Sequence, residues 1–342
     1  MAIYTEISDE QAIEILAQYD IGDFQSITPI SAGITNSNYI IKTNLDQFVL
    51  TIFEDIRDIQ TSVEEARAEQ NISVNFMAHL HKNGLSVPEP KTMRNGDKQF
   101  TIQDGQKYGA IFSFVPGTVI EPNDLTVAHC QDLGICLARI HKAANNFDQT
   151  KENPFGRQKW QHMFDRMVGK IPHFEEETGY ANLKRDILQA ISDINENWPN
   201  TLPHGMVHGD LFPDNVLFDQ DKITGIIDLH DVCYDAYAYD LAICINAWCF
   251  TEEGDEITFH PAKARAIIMG YSQFVQMSDS ANMHFPLICQ AASMRFLMTR
   301  LFDWLNPIEG AVVTMKNPIP YYKRLQFHQK MPDFNAYINS FS

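Results

Sequence analysis

Three polar residues with a defined spacing, Asp210, Asn215 and Asp228, have the chemical types needed for work on a phosphate group. Asn215 follows Asp210 by five positions, and Asp228 follows Asn215 by thirteen. A carboxylate placed like Asp210 can orient and deprotonate a hydroxyl, while an amide and a second carboxylate hold Mg²⁺ on the phosphates of ATP. Hard oxygen ligands suit Mg²⁺, which takes one or two protein carboxylates and leaves its other positions to phosphate and water. The spacing therefore indicates phosphoryl transfer.

The spacing alone is not specific, because two acids and an asparagine also occur at such intervals in ordinary acidic proteins. The residues around this set make it specific. Here the neighbouring residues 206–207, 216–218 and 226–227 are apolar and β-prone. They predict a strand, a loop and a short hairpin with Asp228 at its end. Because the chemistry needs this context, we interpret the set as a phosphotransferase site.

Composition and charge exclude several classes of protein. The chain has 342 residues, enough for one large domain or for two lobes with their own cores. A net charge of −18 argues against nucleic acid or an acidic membrane surface as a partner, because both need clustered cations. No segment approaches the ~18 consecutive apolar residues of a membrane helix, and the N-terminal residues lack the pattern of a signal peptide. Six cysteines without a CxxC pair indicate buried thiols of a cytoplasmic protein.

The first third of the chain has the patterns of a sheet with few helices. Capping-box spacings, Ser8 to Gln11 and Ser62 to Glu65, each predict the start of a helix. Period-two and apolar runs predict five strands, at residues 27–30, 38–43, 48–53, 99–103 and 110–114. This region therefore predicts a small, mostly antiparallel β-sheet with one main helix.

After Pro116-Gly117 the pattern changes, and apolar residues recur at helical spacing through most of residues 118–198, 240–250 and 262–305. A strand-rich region followed by a mainly helical one predicts an α+β bilobal fold. We place the lobes at residues 1–113, predicted to bind nucleotide, and 114–342, predicted to hold the catalytic and substrate residues.

At these motifs the chain resembles the aminoglycoside phosphotransferase-like kinases, which have a protein-kinase-like bilobal fold. The run HGDLFPDN at 208–215 and the pair Ile227-Asp228 carry the resemblance to this superfamily. Within it the chain is similar to the homoserine kinases over essentially its whole length, through runs at residues 48–54, 239–249 and 295–304. The resemblance implies an enzyme that uses ATP and Mg²⁺ to phosphorylate the hydroxyl of L-homoserine on the route to threonine.

The resemblance also implies roles for individual residues. Asp210 would be the catalytic base, and Asn215 and Asp228 would hold Mg²⁺. His208 would brace the catalytic loop, and Asp240 would lie at a helix start and accept backbone N–H groups.

For the nucleotide, the resemblance implies adenine between Val49 on one side and Leu217 with Ile227 on the other, and hydrogen-bonded to the backbone of residues 112–114. The small polar turn at 31–37 could present its N–H groups to phosphate, or could be a hairpin turn and nothing more. The predicted nucleotide-binding residues are Ser31, Gly33, Asn36, Asn38, Val49, Ser113, Phe114, Leu217 and Ile227.

One position departs from the general kinase pattern. A strand over residues 48–53 places Val49 and Thr51 on one face, where a kinase has an adenine-covering residue followed by a phosphate-binding lysine. Thr51 cannot supply that charge. Either the turn at 31–38, Mg²⁺ and another cation such as Lys42 hold the phosphates, or the protein binds nucleotide without turnover. Homoserine kinases tend to carry threonine at this position, so we favour the first account.

Homoserine as acceptor requires a cation for its carboxylate and an anion for its ammonium group. Arg295, Thr299 and Asp303 recur every four residues and share one helix face, with Arg300 adjacent. A planar guanidinium suits a carboxylate, and Asp235 and Asp303 could bind the amine. The same helix could instead contain an internal Asp–Arg pair that never contacts substrate.

Two other functions stay open from the sequence. The same fold could phosphorylate fructosamine, choline, methylthioribose or an aminoglycoside. The missing lysine at Thr51 favours a nucleotide-binding pseudokinase, whereas the intact set of Asp210, Asn215 and Asp228 opposes it.

Overall fold

Two compact units make up the part of the chain that the computed structural model describes, which is residues 4–30, 36–54, 62–103, 105–307 and 315–339. Unit 1 extends to Gly117 and also contains Thr224–His230. Unit 2 comprises Thr118–Ile223 and the described residues from Asp231 onward. The segment at 224–230 is the chief difference from the lobes at 1–113 and 114–342, which stay a prediction of domain limits.

Unit 1 is built on a five-stranded antiparallel sheet. Its strands are β1 (Phe24–Pro29), β2 (Ser37–Thr43), β3 (Gln47–Phe53), β4 (Phe100–Ile102) and β5 (Lys107–Ser113). The strand order is β1-β2-β3-β5-β4, with every neighbouring pair antiparallel. Leu50 and Ile52 on the central strand have no exposed surface, so β3 contributes to the core of this unit. The predicted antiparallel sheet is confirmed.

Two helices of unit 1, α1 (Asp9–Leu16) and α2 (Val63–Lys82), begin at the predicted capping boxes. The Ser8 hydroxyl accepts from the Gln11 N–H at 3.3 Å, and the Gln11 side chain accepts from the Ser8 N–H at 2.9 Å. Ser62 and Glu65 make the same reciprocal pair. Each box satisfies two backbone donors that have no partner within the helix.

Unit 2 is mainly helical. Its helices are α3 (Val127–Ala144), α4 (Trp160–Met167), α5 (Ile171–Thr178), α6 (Leu183–Asn197), α7 (Tyr237–Trp248), α8 (Pro261–Ser272), α9 (Asp279–Met283), α10 (Phe285–Leu305), α11 (Ile319–Gln329) and α12 (Asn335–Ile338). In α7 every residue except Ala247 is buried, so this helix lies in the core of the unit.

Short strands connect the helices around the predicted catalytic residues. They are β6 (His204–Val207), β7 (Val216–Asp219), β8 (Lys222–Ile226), β9 (Cys233–Ala236), β10 (Phe250–Glu253) and β11 (Glu256–Phe259). β6 pairs antiparallel with β9, and β10 pairs antiparallel with β11. Asp210 follows the end of β6, Asp228 follows the end of β8, and β9 runs directly into α7. The predicted strand, loop, hairpin and acid are all present.

All six cysteines are unpaired thiols, and five of them are buried, as predicted. Burial raises the pKa of the Cys130 thiol to about 12, which keeps it protonated and unreactive. Within the described ranges, no helix is both long enough and apolar enough to cross a bilayer.

His328 in α11 is a fully buried histidine held by two polar side chains. Its Nδ1 accepts from the Tyr337 hydroxyl at 2.9 Å, and its Nε2 donates to Asn246 Oδ1 at 3.2 Å. This arrangement needs the neutral imidazole. Burial disfavours the charged ring and lowers the pKa of His328 from 6.5 to about 3.

We expect His328 to make the protein less stable in acid. The unfolded chain protonates this histidine near pH 6.5 and the folded chain only near pH 3. Its contribution is therefore complete above pH 6.5 and is lost as the pH falls towards 3, by up to about 1.4 kcal/mol per pH unit. In urea unfolding at pH 7, 6, 5 and 4, His328→Gln should lose less stability than the wild type over this range. Equal losses in both proteins would contradict the assignment.

Candidate active site

The loop at 208–215, between β6 and β7, carries Asp210 and Asn215 close together. The Asp210 side chain is 30% exposed, so a substrate can reach its carboxylate. Asn215 Nδ2 donates to the backbone oxygen of Asp210 at 2.8 Å and closes the loop on itself. This bond uses the amide nitrogen and leaves Oδ1 as the acceptor that a hard cation would take. The loop therefore brings these two predicted residues together in suitable orientations.

Asp240, on the first turn of α7, anchors this loop from inside the core. Its carboxylate accepts from the N–H groups of His208 and Gly209, each at 2.9 Å, and lies 3.0 Å from His141 Nε2. Burial raises the pKa of Asp240, but hydrogen bonds and positive charge, chiefly from His141, outweigh burial and hold it below its usual value. We predicted that Asp240 would accept backbone N–H groups at a helix start. The N–H groups it accepts belong to the loop, not to its own helix.

Arg295 of α10 lies beneath the same loop and is 5% exposed. Its Nη1 donates to the Gly209 carbonyl, and its Nη2 lies 3.9 Å from Asp210 Oδ1. Burial raises the pKa of Asp210, and the Arg295 guanidinium opposes that rise. Through these contacts Arg295 positions Asp210 and its loop. Its predicted contact with the acceptor stays a prediction.

Asp228, in unit 1, has an exposed side chain and a φ of 58°. Positive φ is uncommon for residues other than glycine, although aspartate tolerates it better than most. Such conformations are concentrated at functional sites. Its carboxylate is a hard oxygen donor of the kind that Mg²⁺ takes, and its role as a metal ligand stays a prediction.

The start of β2 lies beside the position where a kinase has its phosphate-binding lysine. Thr51 is buried, and its hydroxyl donates to Asn38 Oδ1 at 2.7 Å. That bond orients the Asn38 amide, whose nitrogen donates to the Asn36 carbonyl at 3.4 Å. Asn36 Oδ1 accepts from the Glu54 N–H at 3.2 Å. Lys42 is exposed and pairs with Gln47, at the other end of the same strand pair.

The remaining predicted nucleotide residues occupy several elements. Ser31 and Gly33 lie outside the described residues. Val49 is half-buried on β3, Phe114 and Ile227 are half-buried in unit 1, and Leu217 is half-buried on β7 of unit 2. The Ser113 amide donates to Glu89 O at 2.8 Å, and the Ser113 hydroxyl accepts from the Glu89 N–H at 2.8 Å. The backbone N–H and the side-chain hydroxyl of Ser113 are therefore both already hydrogen-bonded.

The four residues predicted for the acceptor have different contacts, and their role at the acceptor stays a prediction. Asp235 on β9 accepts from Asn153 Nδ2 at 2.6 Å and lines a cavity of about 70 Å³. Arg300 lies over the Tyr321 ring, with its guanidinium 4.4 Å from the ring centroid. Asp303 is exposed near the end of α10. Arg295 contacts the 208–215 loop, as described above.

Sequence reasoning missed a polar group in unit 2 formed by Glu252, Tyr321 and Arg324. Arg324 is 2% exposed and lies on the buried face of α11. A signal for it was present, because Tyr321, Arg324 and Leu325 recur at helical spacing and thus place a charge on an apolar face. A buried charge needs a partner, which marks such a position for attention.

The comparisons with known proteins agree with this geometry. Residues 26–266 match the phosphotransferase enzyme family, and the chain belongs to that family. Within it, the chain is 35% identical to homoserine kinase of Afipia carboxidovorans, over 98% of this chain and 97% of the relative. It is 37% identical to homoserine kinase of Parvibaculum lavamentivorans, over 96% of both chains. The predicted family resemblance is confirmed.

Two solved structures share the fold. A choline kinase from Cryptosporidium parvum gives a TM-score of 0.65 at 15% identity, covering 94% of this chain and 95% of that chain. A spectinomycin phosphotransferase in complex with ADP and spectinomycin gives 0.64 at 15% identity, covering 98% and 97%. At this identity the likeness concerns the fold alone, and it confirms the predicted protein-kinase-like α+β fold.

Proposed function

We propose that this protein is a homoserine kinase, which transfers the γ-phosphoryl group of ATP to the side-chain hydroxyl of L-homoserine. The choice of L-homoserine as the acceptor rests on the similarity to homoserine kinases, which extends over nearly the whole length of this chain and of each relative. The anchored Asp210 supports the reaction type. The product, O-phospho-L-homoserine, places the enzyme on the route to threonine.

In this proposal Asp210 orients the acceptor hydroxyl and takes its proton as the oxygen attacks phosphorus. Burial raises the pKa of Asp210 towards the working pH, which makes it a better base than an exposed carboxylate. Asn215 Oδ1 and the Asp228 carboxylate would hold Mg²⁺, which when bound supplies positive charge to the transferring group. Most of the rate then comes from alignment and electrostatics.

The nucleotide phosphates would be bound without the usual lysine. The Thr51–Asn38 hydrogen bond supports this, because it fixes the Asn38 amide at the strand end where the lysine would act. One N–H of that amide donates to the Asn36 carbonyl, so the second N–H would be the neutral donor for phosphate. Mg²⁺ would then supply most of the positive charge.

The test of this function is ADP release from ATP·Mg²⁺ with L-homoserine, beside choline, a fructosamine, methylthioribose and kanamycin, with Asp210→Asn as the blank. Turnover on homoserine alone, absent from the blank, is the expected result. Turnover on a different acceptor would keep the mechanism and overturn the substrate. A thermal shift with ATP·Mg²⁺ but no turnover on any acceptor would favour a nucleotide-binding pseudokinase, the alternative suggested by the missing lysine at Thr51.

A further inference from the structure

Unit 2 contains buried polar side chains whose hydrogen-bonding capacity is unused. Across the described ranges, the Arg324 Nε–H and Nη1 amino group have no hydrogen-bond partner. The Tyr321 hydroxyl, three residues earlier on α11, also has none among these residues, although its side chain has no exposed surface. Burying unpaired donors is costly, and more so when the group is charged. In a native protein such donors call for an explanation, and a bound group that accepts from them is one.

The charges around these donors have both signs. Arg324 Nη2 lies 2.7 Å from Glu252 Oε1, and Glu252 is 38% exposed. The guanidinium groups of Arg300 and Arg324 each lie 4.4 Å from the centroid of the Tyr321 ring. We call Glu252, Arg300, Tyr321 and Arg324 the Arg324 cluster. It contains two cations that lie over one aromatic ring and a carboxylate that pairs with one of them, so it holds both charges that a zwitterion requires.

Aromatic packing connects this cluster with the 208–215 loop. The Tyr321 ring lies 5.2 Å from the Phe296 ring and 6.5 Å from the Phe212 ring, between centroids. Phe212 follows Asp210 by two residues. The cluster therefore packs against the loop that carries Asp210.

A second connection runs through the end of α7. Trp248 Nε1 donates to the Leu211 carbonyl at 2.9 Å, next to Asp210 in sequence. Phe250, two residues after Trp248, packs its ring 5.1 Å from the Arg324 guanidinium. The loop and the cluster thus share one supporting segment, which would hold them at a defined separation.

We propose that the Arg324 cluster binds the amino-acid end of the acceptor. Arg324 and Arg300 take the carboxylate, the Tyr321 hydroxyl donates to it, and Glu252 takes the ammonium group, which leaves the acceptor hydroxyl at Asp210. This assignment rests on the proposed function, because it presupposes an amino alcohol with a carboxylate. It makes Arg324 and Glu252 the residues that determine acceptor specificity.

The experiment removes one charge from the protein or one from the acceptor. The acceptors are L-homoserine, 3-aminopropan-1-ol, which lacks the carboxylate, and 4-hydroxybutanoate, which lacks the ammonium group. The wild type should prefer homoserine to either analogue by at least about 100-fold in kcat/KM, since a site built for a polar group rejects its absence strongly. In Arg324→Gln the preference over aminopropanol should fall to about 10-fold or less. In Glu252→Gln the preference over 4-hydroxybutanoate should fall likewise.

The ratio of kcat/KM for two acceptors is independent of the folded fraction, so loss of stability in a variant does not obscure the result. Arg324→Lys keeps the charge and should keep part of the preference. The matched control is Lys323→Gln, because Lys323 pairs with Glu256 at 2.6 Å and joins the same helix to the same hairpin. Its ratios, and the KM for ATP in every variant, should remain as in the wild type.

The outcomes separate this assignment from the proposed function. Wild-type turnover on homoserine with an unchanged ratio in Arg324→Gln would overturn the assignment alone. Failure of the wild type to phosphorylate homoserine would overturn the proposed function, and the assignment with it.

Discussion

Replacing Asp210 with asparagine is expected to lower kcat by roughly 100- to 10,000-fold, the usual contribution of a general base. The fold should be retained, because the hydrogen bonds of this residue within the loop are made by its backbone, and asparagine keeps the size of the side chain beside Arg295. Its N–H donates to His208 Nδ1 at 3.3 Å, and its carbonyl accepts from Asn215 Nδ2 at 2.8 Å. The substitution removes the proton acceptor and leaves these bonds in place. Steady-state kinetics with homoserine and ATP·Mg²⁺ measure the effect.

The pH profile adds a second measurement on the same residue. Because Asp210 acts as a base, activity is lost as the pH falls through its pKa, which burial has raised above the usual value. The acidic limb of kcat/KM should therefore be present in the wild type and absent from the residual activity of Asp210→Asn. Asp214→Asn is the control, because Asp214 is 62% exposed and lies 3.9 Å from Lys316. A kcat for Asp210→Asn within a factor of ten of the wild type would refute the role.

The largest expected loss of stability comes from Asp240→Ala, at about 3–5 kcal/mol, the range for breaking a buried charge pair. The alanine leaves the His208 and Gly209 amides and the His141 ring without their acceptor inside the core. The pKa of Asp240 is below its usual value, so its contribution is complete at neutral pH and is lost only in strong acid. Urea unfolding at pH 7 therefore measures the full effect.

A matched control is Asp221→Ala. Asp221 also pairs with a histidine, His129, at 3.2 Å, but its side chain is 85% exposed. Solvent screens that pair, so we expect a change of at most about 1 kcal/mol. Similar losses in the free energy of unfolding for both variants would mean that burial and the loop amides contribute little. They would contradict the assignment of Asp240 as the anchor of the 208–215 loop.

Much of the fold was predictable because local features determine it. The capping boxes at Ser8 and Ser62 act within four residues, so their sequence signals identify the starts of α1 and α2 directly. Strand β2 alternates with the pleat, since Tyr39 and Ile41 are buried and Ile40 between them is only half-buried. The set of Asp210, Asn215 and Asp228 could be identified from short spacings and apolar neighbours in the sequence, and its roles stay predictions.

The surroundings of the predicted acceptor residues could not be derived in this way. Helical spacing places Arg295, Thr299 and Asp303 on one face with Arg300 adjacent, and their role at the acceptor stays a prediction. Arg295 lies against Gly209, whereas Arg300 lies over Tyr321 of α11. Helical periodicity indicates which residues share a face, and it does not indicate what that face will contact.

The sequence by itself determined the chemistry, the family and the order of strands and helices, because these depend on residue types and on short spacings. Only the tertiary structure decided which distant groups meet. Asp240 reaches His141 across 99 positions, Thr51 finds Asn38 through strand register, and Arg324 finds Glu252 between a helix and a hairpin. Such pairs arise when buried charges and donors must find partners as the core packs, and that requirement cannot be read from either residue alone.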